Sequence, residues 1–382
     1  MQQILAPAIL IVMLLPAGLA SADEPEADLR PIVDRLAEPF VRDGEAVGLT
    51  VGVLTPDGKL TAGFGKLSAK RDERPDGDTL FEIGSITKVF TGLCLADMAE
   101  AGVVSLDDPI EKHLPPSVKF KEPPPRAITL RHLATHTSGL PRIPLALAFA
   151  DPRDPYAKFN EERLVEMLNS YEWQPEAGTE FAYSNLGMGM LGWMLGRKCD
   201  TSYEQVVVER ICDPLGMADT RMMLNEDQRR RLAAGHTASG EPVDNWHFDV
   251  LAGAGALLST ANDLLSFAEA NLHPDREGLP PRLAKAIRLS QQAHGETDDS
   301  DTAVGLAWMI RQGNGERGRL VWHNGATGGY SCFLGLLPER GIAVVVLTNT
   351  TLTEDGNVAD VLGLKLLKEV SRQSRAAGKE SR

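Results

Sequence analysis

Val47 to Thr55 (VGLTVGVLT) alternates along its length and is rich in β-branched residues, then meets a turn at Pro56-Asp57-Gly58. Leu60 to Gly65 continues as a second strand, so the pair predicts a hairpin. Near the other end, Phe333 to Leu337, a turn at Pro338-Glu339-Arg340-Gly341 and Ile342 to Leu347 predict another. Between them the spacing of apolar residues changes to that of helices: Lys88 to Ala101, Glu161 to Asn169, Met188 to Arg197, Tyr203 to Ile211 and Ala261 to Ala270. Asp360 to Val370 predicts one more amphipathic helix, followed from Ser371 by a frayed polar segment, with residues 373–382 as a tail. Pro115 to Pro125 and Pro141 to Pro155 are proline-rich and predict surface connectors.

Strands at both ends of a helical middle predict an α+β fold. One antiparallel sheet is assembled from both chain ends and flanked by helices, and a mainly helical lobe is inserted. Residues 23–372 form one domain in this scheme, with an α/β lobe over about 30–85 plus 300–372 and a helical lobe over about 86–299. A site then falls in the groove between lobes.

Met1 to Ala22 has no charged side chain. Its apolar run from Ala8 to Leu15 precedes Pro16, Gly18 and the small residues Ala20-Ser21-Ala22. This layout predicts a secretory signal cleaved after Ala22, although Met1-Gln2-Gln3 lacks the usual basic residue. The run is too short for the ~30 Å hydrocarbon core of a membrane, so the mature chain is expected to have no membrane span. Export exposes four cysteines, Cys94, Cys199, Cys212 and Cys332, to oxidation. Three pairings are open to them, and Cys199 with Cys212 is the nearest in sequence. A core of this size needs no disulfide, and Cys94 and Cys332 sit in apolar stretches that predict burial.

The formal charge of −14, from 39 Lys plus Arg against 53 Asp plus Glu, repels phosphate backbones. With aromatics at only 5%, nucleic acid is excluded as a partner. Nothing in the pattern sets an oligomeric state.

Three short segments bear chemistry. Ser85-Ile86-Thr87-Lys88 opens a predicted helix, which puts Lys88 on the same face as Ser85. A serine hydroxyl becomes a nucleophile when a base takes its proton, and a lysine of lowered pKa can do so. The first-turn amides add a positive field for an oxyanion. Such a spacing also arises about once by chance in a chain this long. Tyr183-Ser184-Asn185 offers a phenol and an amide at i and i+2, facing one side if the segment is extended. It fits equally a loop tyrosine with Asn185 as a helix N-cap. His323-Asn324-Gly325-Ala326 precedes the C-terminal hairpin; a glycine there lets another backbone approach, and His323 would be a donor or partial positive charge at the groove. A glycine-rich turn with a surface histidine reads the same way. His132 and His136 are spaced i, i+4, but without a Glu-x-x-His frame or a third ligand they predict structural roles and no metal.

Together and in this order, the segments resemble the serine β-lactamase and penicillin-binding-protein superfamily. The likeness is strongest to its branch of class C β-lactamases, D-alanyl-D-alanine carboxypeptidases, D-aminopeptidases and esterases. Ser85 to Lys88 matches the nucleophile motif and Tyr183 to Asn185 the Tyr-x-Asn motif, while His323-Asn324-Gly325 takes the place of Lys-Thr-Gly. ITLRHLATHTSGLP (128–141), Pro214 to Met217 and AGAGALLSTAND (252–263) support the match. The resemblance implies acylation of Ser85, with Lys88 and Tyr183 sharing the proton work and either one as the base. It implies an oxyanion hole from the N–H groups of Ser85 and Ala326, beside Gly325. Asn185 and His323 would orient substrate, and no metal or cofactor is implied. The expected activity is an exported serine hydrolase of D-Ala-type peptides. The alternatives are a class C-like β-lactamase, a small-ester carboxylesterase, or a non-catalytic scaffold that binds wall peptides.

Overall fold

The computed structural model describes residues 29–173, 177–313, 318–353 and 356–380. The expected leader, residues 1–22, lies outside them. The strands are β1 (Gly48–Thr55), β2 (Gly58–Gly65), β3 (Phe81–Glu82), β4 (Gly235–His236), β5 (Pro242–Val243), β6 (Leu258–Ser259), β7 (Gly295–Glu296), β8 (Thr302–Val304), β9 (Met309–Arg311), β10 (Leu320–Ala326), β11 (Ser331–Leu337) and β12 (Ile342–Thr348). The helices are α1 (Arg30–Arg42), α2 (Thr87–Glu100), α3 (Leu130–Ala134), α4 (Glu161–Ser170), α5 (Asn185–Lys198), α6 (Tyr203–Val207), α7 (Asp213–Leu215), α8 (Glu226–Arg231), α9 (Ala261–Leu272), α10 (Pro281–Ser290) and α11 (Val358–Glu380).

The main sheet runs β2-β1-β12-β11-β10-β9-β8-β7, and every neighbouring pair is antiparallel. β1 meets β12 with Leu49 opposite Thr348 and Leu54 opposite Ala343, which joins strands from the two ends of the chain one strand in from the β2 edge. The period-2 pattern is divided between two cores. Ile342, Val344 and Val346 face an outer cluster with α1 and α11, while Ala343, Val345 and Leu347 face an inner cluster with α2 and α9. The expected α+β architecture is therefore present.

Helix α2 is buried on all sides from Thr87 to Met98, as an apolar helix in the middle of a domain must be. Phe90 stacks on Phe267 of α9 at 4.3 Å. Asp97, fully buried, accepts from Arg210 and from Arg282 of α10 at 2.7 Å each. Removing both arginines would leave a buried charge uncompensated, at a cost of ~3–5 kcal/mol.

Three details differ from the sequence expectations, and a fourth concerns the cysteine pairing that the sequence left open. α9 lies inside the expected helical segment yet packs on the sheet, where Leu265 is 3.0 Å from the Cβ position of Gly52. The helix from Tyr203 gives way to a π-turn over Val208–Cys212. α11 begins at Val358 and runs on to Glu380, through the expected frayed tail, because Arg, Gln, Ala and Lys there are good helix formers and no proline stops it. All four cysteines are free thiols, so the Cys199–Cys212 pairing is not made. Among the described residues no helix is long and apolar enough to cross a membrane.

Candidate active site

The chain leaves β3, makes a 3-10 turn over Gly84–Ile86 and enters α2. Gly84 has φ +48°, and a Cβ there would lie 2.8 Å from both the N and the O of Ala326, so only glycine fits. The turn leaves Ser85 part-exposed, with its amide among those of a helix start that lack an intrahelical acceptor. One turn further on, Lys88 is fully buried. Its Nζ is 2.8 Å from Ser85 Oγ and donates to Ala254 O at 2.6 Å. Burial, aided by the nearby Arg142 guanidinium, pushes Lys88 well below the ordinary lysine value.

Tyr183 is hydrogen-bonded to Ser85, and burial raises its pKa above the usual phenol value against that bond and the Arg142 charge. Its ring is enclosed by basic side chains. His136 stacks on it at 4.3 Å, Lys88 Nζ and Arg142 Cζ lie 5.0 and 4.9 Å from its centroid, and the His323 ring is 6.3 Å away. The extended segment ends one residue earlier than the sequence reading has it. Ser184, not Asn185, is the N-cap of α5: its Oγ accepts from Gly187 N at 2.9 Å and donates to Pro141 O at 2.7 Å. Asn185 is already helical. It donates to Tyr156 Oη at 3.0 Å, and its buried Oδ1 has no partner.

β10 supplies the opposite wall. β9 pairs only with Leu320 to Trp322, so His323 to Ala326 present an open edge among the described residues. Val321, His323 and Gly325 share the inner face by strand alternation. A Cβ on Gly325 would sit 2.0 Å from Ile83 O and 3.0 Å from Ser85 N, so the expected close approach is real and the approaching backbone is that of the nucleophile's own turn. Thr327 N donates to Tyr330 O, which makes Ala326 opposite Ser331 a non-hydrogen-bonded pair. The Ala326 N–H therefore points away from β11, toward the open edge.

His323 departs from its expected role. It is buried, and desolvation, followed by the charge of Lys88, pushes its pKa down to about 3. Nδ1 lies 2.6 Å from Asn324 O, an atom that can only accept, so Nδ1 bears the proton. Nε2 is left as a buried, unpartnered acceptor. His323 is thus neutral, and not a positive charge at the groove. Asn324 faces the other way and donates to Asp360 Oδ2 of α11 at 2.6 Å; burial raises Asp360 to about 6.

His132 and His136 do not share a helix face. His132 caps α3 through Thr129, with Thr129 N donating to its Nδ1 at 3.2 Å. His136 lies beyond that helix at φ +58°, where its Nδ1 accepts from Ser184 N at 3.1 Å. Both hold main-chain N–H groups, and His136, stacked on Tyr183, also belongs to the site. Among the described residues, no group of three or more His, Cys, Asp or Glu side chains is placed to hold a metal. Sequence reasoning also missed Arg142, Tyr156 and the carbonyl of Ala254. They lie on loops or act through the main chain; the Pro141 to Pro155 connector contains Arg142 and stops one residue short of Tyr156, and the 252–263 phrase contains Ala254.

A nucleophile turn at a helix start, a buried lysine on its hydroxyl, a tyrosine above it and a glycine-bearing sheet edge beside it define a serine hydrolase of the β-lactamase type. The chain belongs to the Beta-lactamase family, whose sequence model matches residues 33–368. It is 28% identical over 341 residues to the D-alanyl-D-alanine-carboxypeptidase/endopeptidase AmpH of Escherichia coli (strain K12), covering 86% of each chain. It is 25% identical over 354 residues to a β-lactamase of Pseudomonas fluorescens, covering 84% of this chain and 94% of that one. A solved class C β-lactamase superposes with a TM-score of 0.78 at 21% identity, over 91% of this chain and 98% of its own. At that identity, the likeness to the solved structure concerns the fold.

Proposed function

We propose that this chain is an exported serine peptidase that cleaves D-Ala-type peptides through an acyl-enzyme on Ser85. The observation that carries the reading is the 2.8 Å contact of Ser85 Oγ with a lysine whose charge burial disfavours. Lys88, lowered, takes the hydroxyl proton as Oγ attacks the scissile carbonyl carbon. Negative charge passes to the carbonyl oxygen, which accepts from the N–H groups of Ser85 and Ala326. The tetrahedral centre collapses, the C–N bond breaks, and the proton reaches the leaving amine through Tyr183, whose raised pKa keeps it a phenol. Water then attacks the serine ester by the same path in reverse, releasing the acid and restoring Ser85. Asn185, with a free Oδ1, holds a substrate amide, and the strand edge at Gly325 lies along the substrate backbone. The 28% relative, by its name a D-alanyl-D-alanine carboxypeptidase/endopeptidase, supports the substrate class. Export rests on the apolar run of Ala8 to Leu15 and the small residues before Asp23.

Intact mass after brief exposure to benzylpenicillin or a fluorophosphonate tests the mechanism. One adduct is expected, absent in Ser85→Ala; an adduct that persists in that variant overturns the Ser85 mechanism, and none at all points to a non-catalytic scaffold. Turnover of an acyl-D-Ala-D-Ala peptide, nitrocefin and p-nitrophenyl acetate then ranks the substrates. The peptide is expected to be cleaved with the highest kcat/KM, and Ser85→Ala to lose about 10³-fold or more. Faster nitrocefin hydrolysis would favour the β-lactamase reading, which other relatives at 25% identity support.

A further inference from the structure

Of the four basic side chains around the Tyr183 ring, burial opposes a charge on three. Lys88, His136 and His323 are all buried, and desolvation lowers each one first and most. Arg142 differs: it is exposed, and a guanidinium keeps its charge.

The main chain of Arg142 is pinned to the site. Its carbonyl accepts from Asn185 N at 2.8 Å and from Leu186 N at 3.4 Å, the opening amides of α5. Pro141 before it is held by the N-cap Ser184. The side chain has no such ties. Its Cζ rests over the Tyr183 ring at 4.9 Å, and among the described residues the guanidinium makes no ion pair and no hydrogen bond. Most of the described arginines do find a carboxylate, in a chain where Asp and Glu outnumber Lys and Arg by 53 to 39. Arg131, Arg153, Arg197 and Arg210, for comparison, each pair with a carboxylate. An unpaired fork of donors, positioned by a helix start and leaning on the residue that bonds the nucleophile, suits an anion supplied by the substrate.

Position narrows which part of the substrate that is. The oxyanion amides lie on the β10 side of Ser85, and Arg142 lies on the Tyr183 side, where the leaving group takes its proton. We propose that Arg142 binds a free carboxylate on the leaving side of the scissile bond, so that the chain selects substrates ending one residue beyond that bond. The proposal rests on the peptidase reading above and deepens it: removal of a single C-terminal residue is preferred over cleavage within a chain. His323 cannot take this part, being buried and neutral, so the charge that recognises the carboxylate comes from the connector after α3 and not from the strand edge.

The test is a ratio. kcat/KM is measured on an acyl-D-Ala-D-Ala peptide as the free acid and as the C-terminal amide. The wild-type chain is expected to favour the acid by about tenfold or more, mostly in KM. Arg142→Gln brings the ratio close to one, and Arg142→Lys, which keeps the charge without the fork, retains part of it. Rising salt narrows the wild-type preference and leaves that of Arg142→Gln flat. Arg142 also lowers Lys88, so both substrates can lose a common factor in the variant; that factor cancels in the ratio. A wild-type ratio near one, or a ratio unchanged in Arg142→Gln, overturns the proposal. If neither peptide is cleaved, the peptidase reading has failed. The ratio is then read on phenyl esters of an acylglycine with and without a meta-carboxylate on the leaving phenol, and the same outcomes decide.

Discussion

Lys88 and Tyr183 meet the same Ser85 hydroxyl from two sides, and one physical cause moves their proton affinities in opposite directions. Burial disfavours charge, so it lowers the amine and raises the phenol. The sequence alone leaves either group as the base; with Lys88 fully buried and Tyr183 partly so, the lowered amine is the base in the proposed mechanism. His323 follows the same rule, and its effect on stability has a definite sign. Folded, it titrates at about 3, against an ordinary 6.5. Between those values the unfolded chain binds the extra proton, so stability rises with pH across that window and is lost as pH falls through it. Each unit of the difference is worth about 1.4 kcal/mol. Thermal melts of wild type and His323→Gln from pH 7 to pH 4 should therefore converge, with the wild type losing Tm more steeply. His136 stays in both proteins, and its lowering comes first from its own burial, with His323 a lesser cause. Parallel curves would show that His323 is protonated in the folded chain. The burial of a histidine is not legible in a His-x-Gly string. It becomes visible only when α2 and the Tyr183 loop close over β10.

At the scale of elements, the site is set by the contact of the 3-10 turn with the end of β10. Gly325→Ala tests that contact directly. The added methyl would meet Ile83 O at 2.0 Å and Ser85 N at 3.0 Å, both main chain, so strand and turn must part. The expected outcome is a loss of kcat/KM of about 100-fold or more, with a stability cost of about 1–3 kcal/mol seen as a lower Tm. Wild-type activity in the variant would mean that the oxyanion amides do not depend on this spacing. The longer strands of this sheet are legible in the sequence because β1, β2, β11 and β12 run over seven or eight mostly apolar or β-branched residues, and a turn of Pro, Asp or Glu, and Gly joins each pair. β3 and β6 have two residues each and β9 has three, too few for any period to register, yet β3 aims the nucleophile turn and β9 ends where the open edge begins. Likewise, the helix start after Tyr183 is legible to within three residues, while the choice of Ser184 over Asn185 as its cap depends on Pro141, far away in sequence.

Over the whole molecule, the two chain ends close one sheet and the segment between them supplies the lysine, the tyrosine and the arginine. The proposed export would place a demand on the fold, because four thiols would then enter an oxidising compartment without pairing. Burial meets that demand. Cys94, Cys212 and Cys332 are buried and all three are raised by desolvation, Cys212 to about 12, so the reactive thiolate is suppressed. Cys199 is only half-buried, but its sulfur lies 3.6 Å from Arg210 Nη2, beside the Asp97 ion pair. Protein collected from an exporting host without reductant should therefore have the mass of a chain beginning at Asp23 with all four thiols reduced. Thiol titration should read four in denaturant and at most one, Cys199, in the native state. A chain beginning at Met1 would refute cleavage of the leader. A mass lower by two hydrogens would mean that a pair forms during export, before α2 and its neighbours bury the sulfurs.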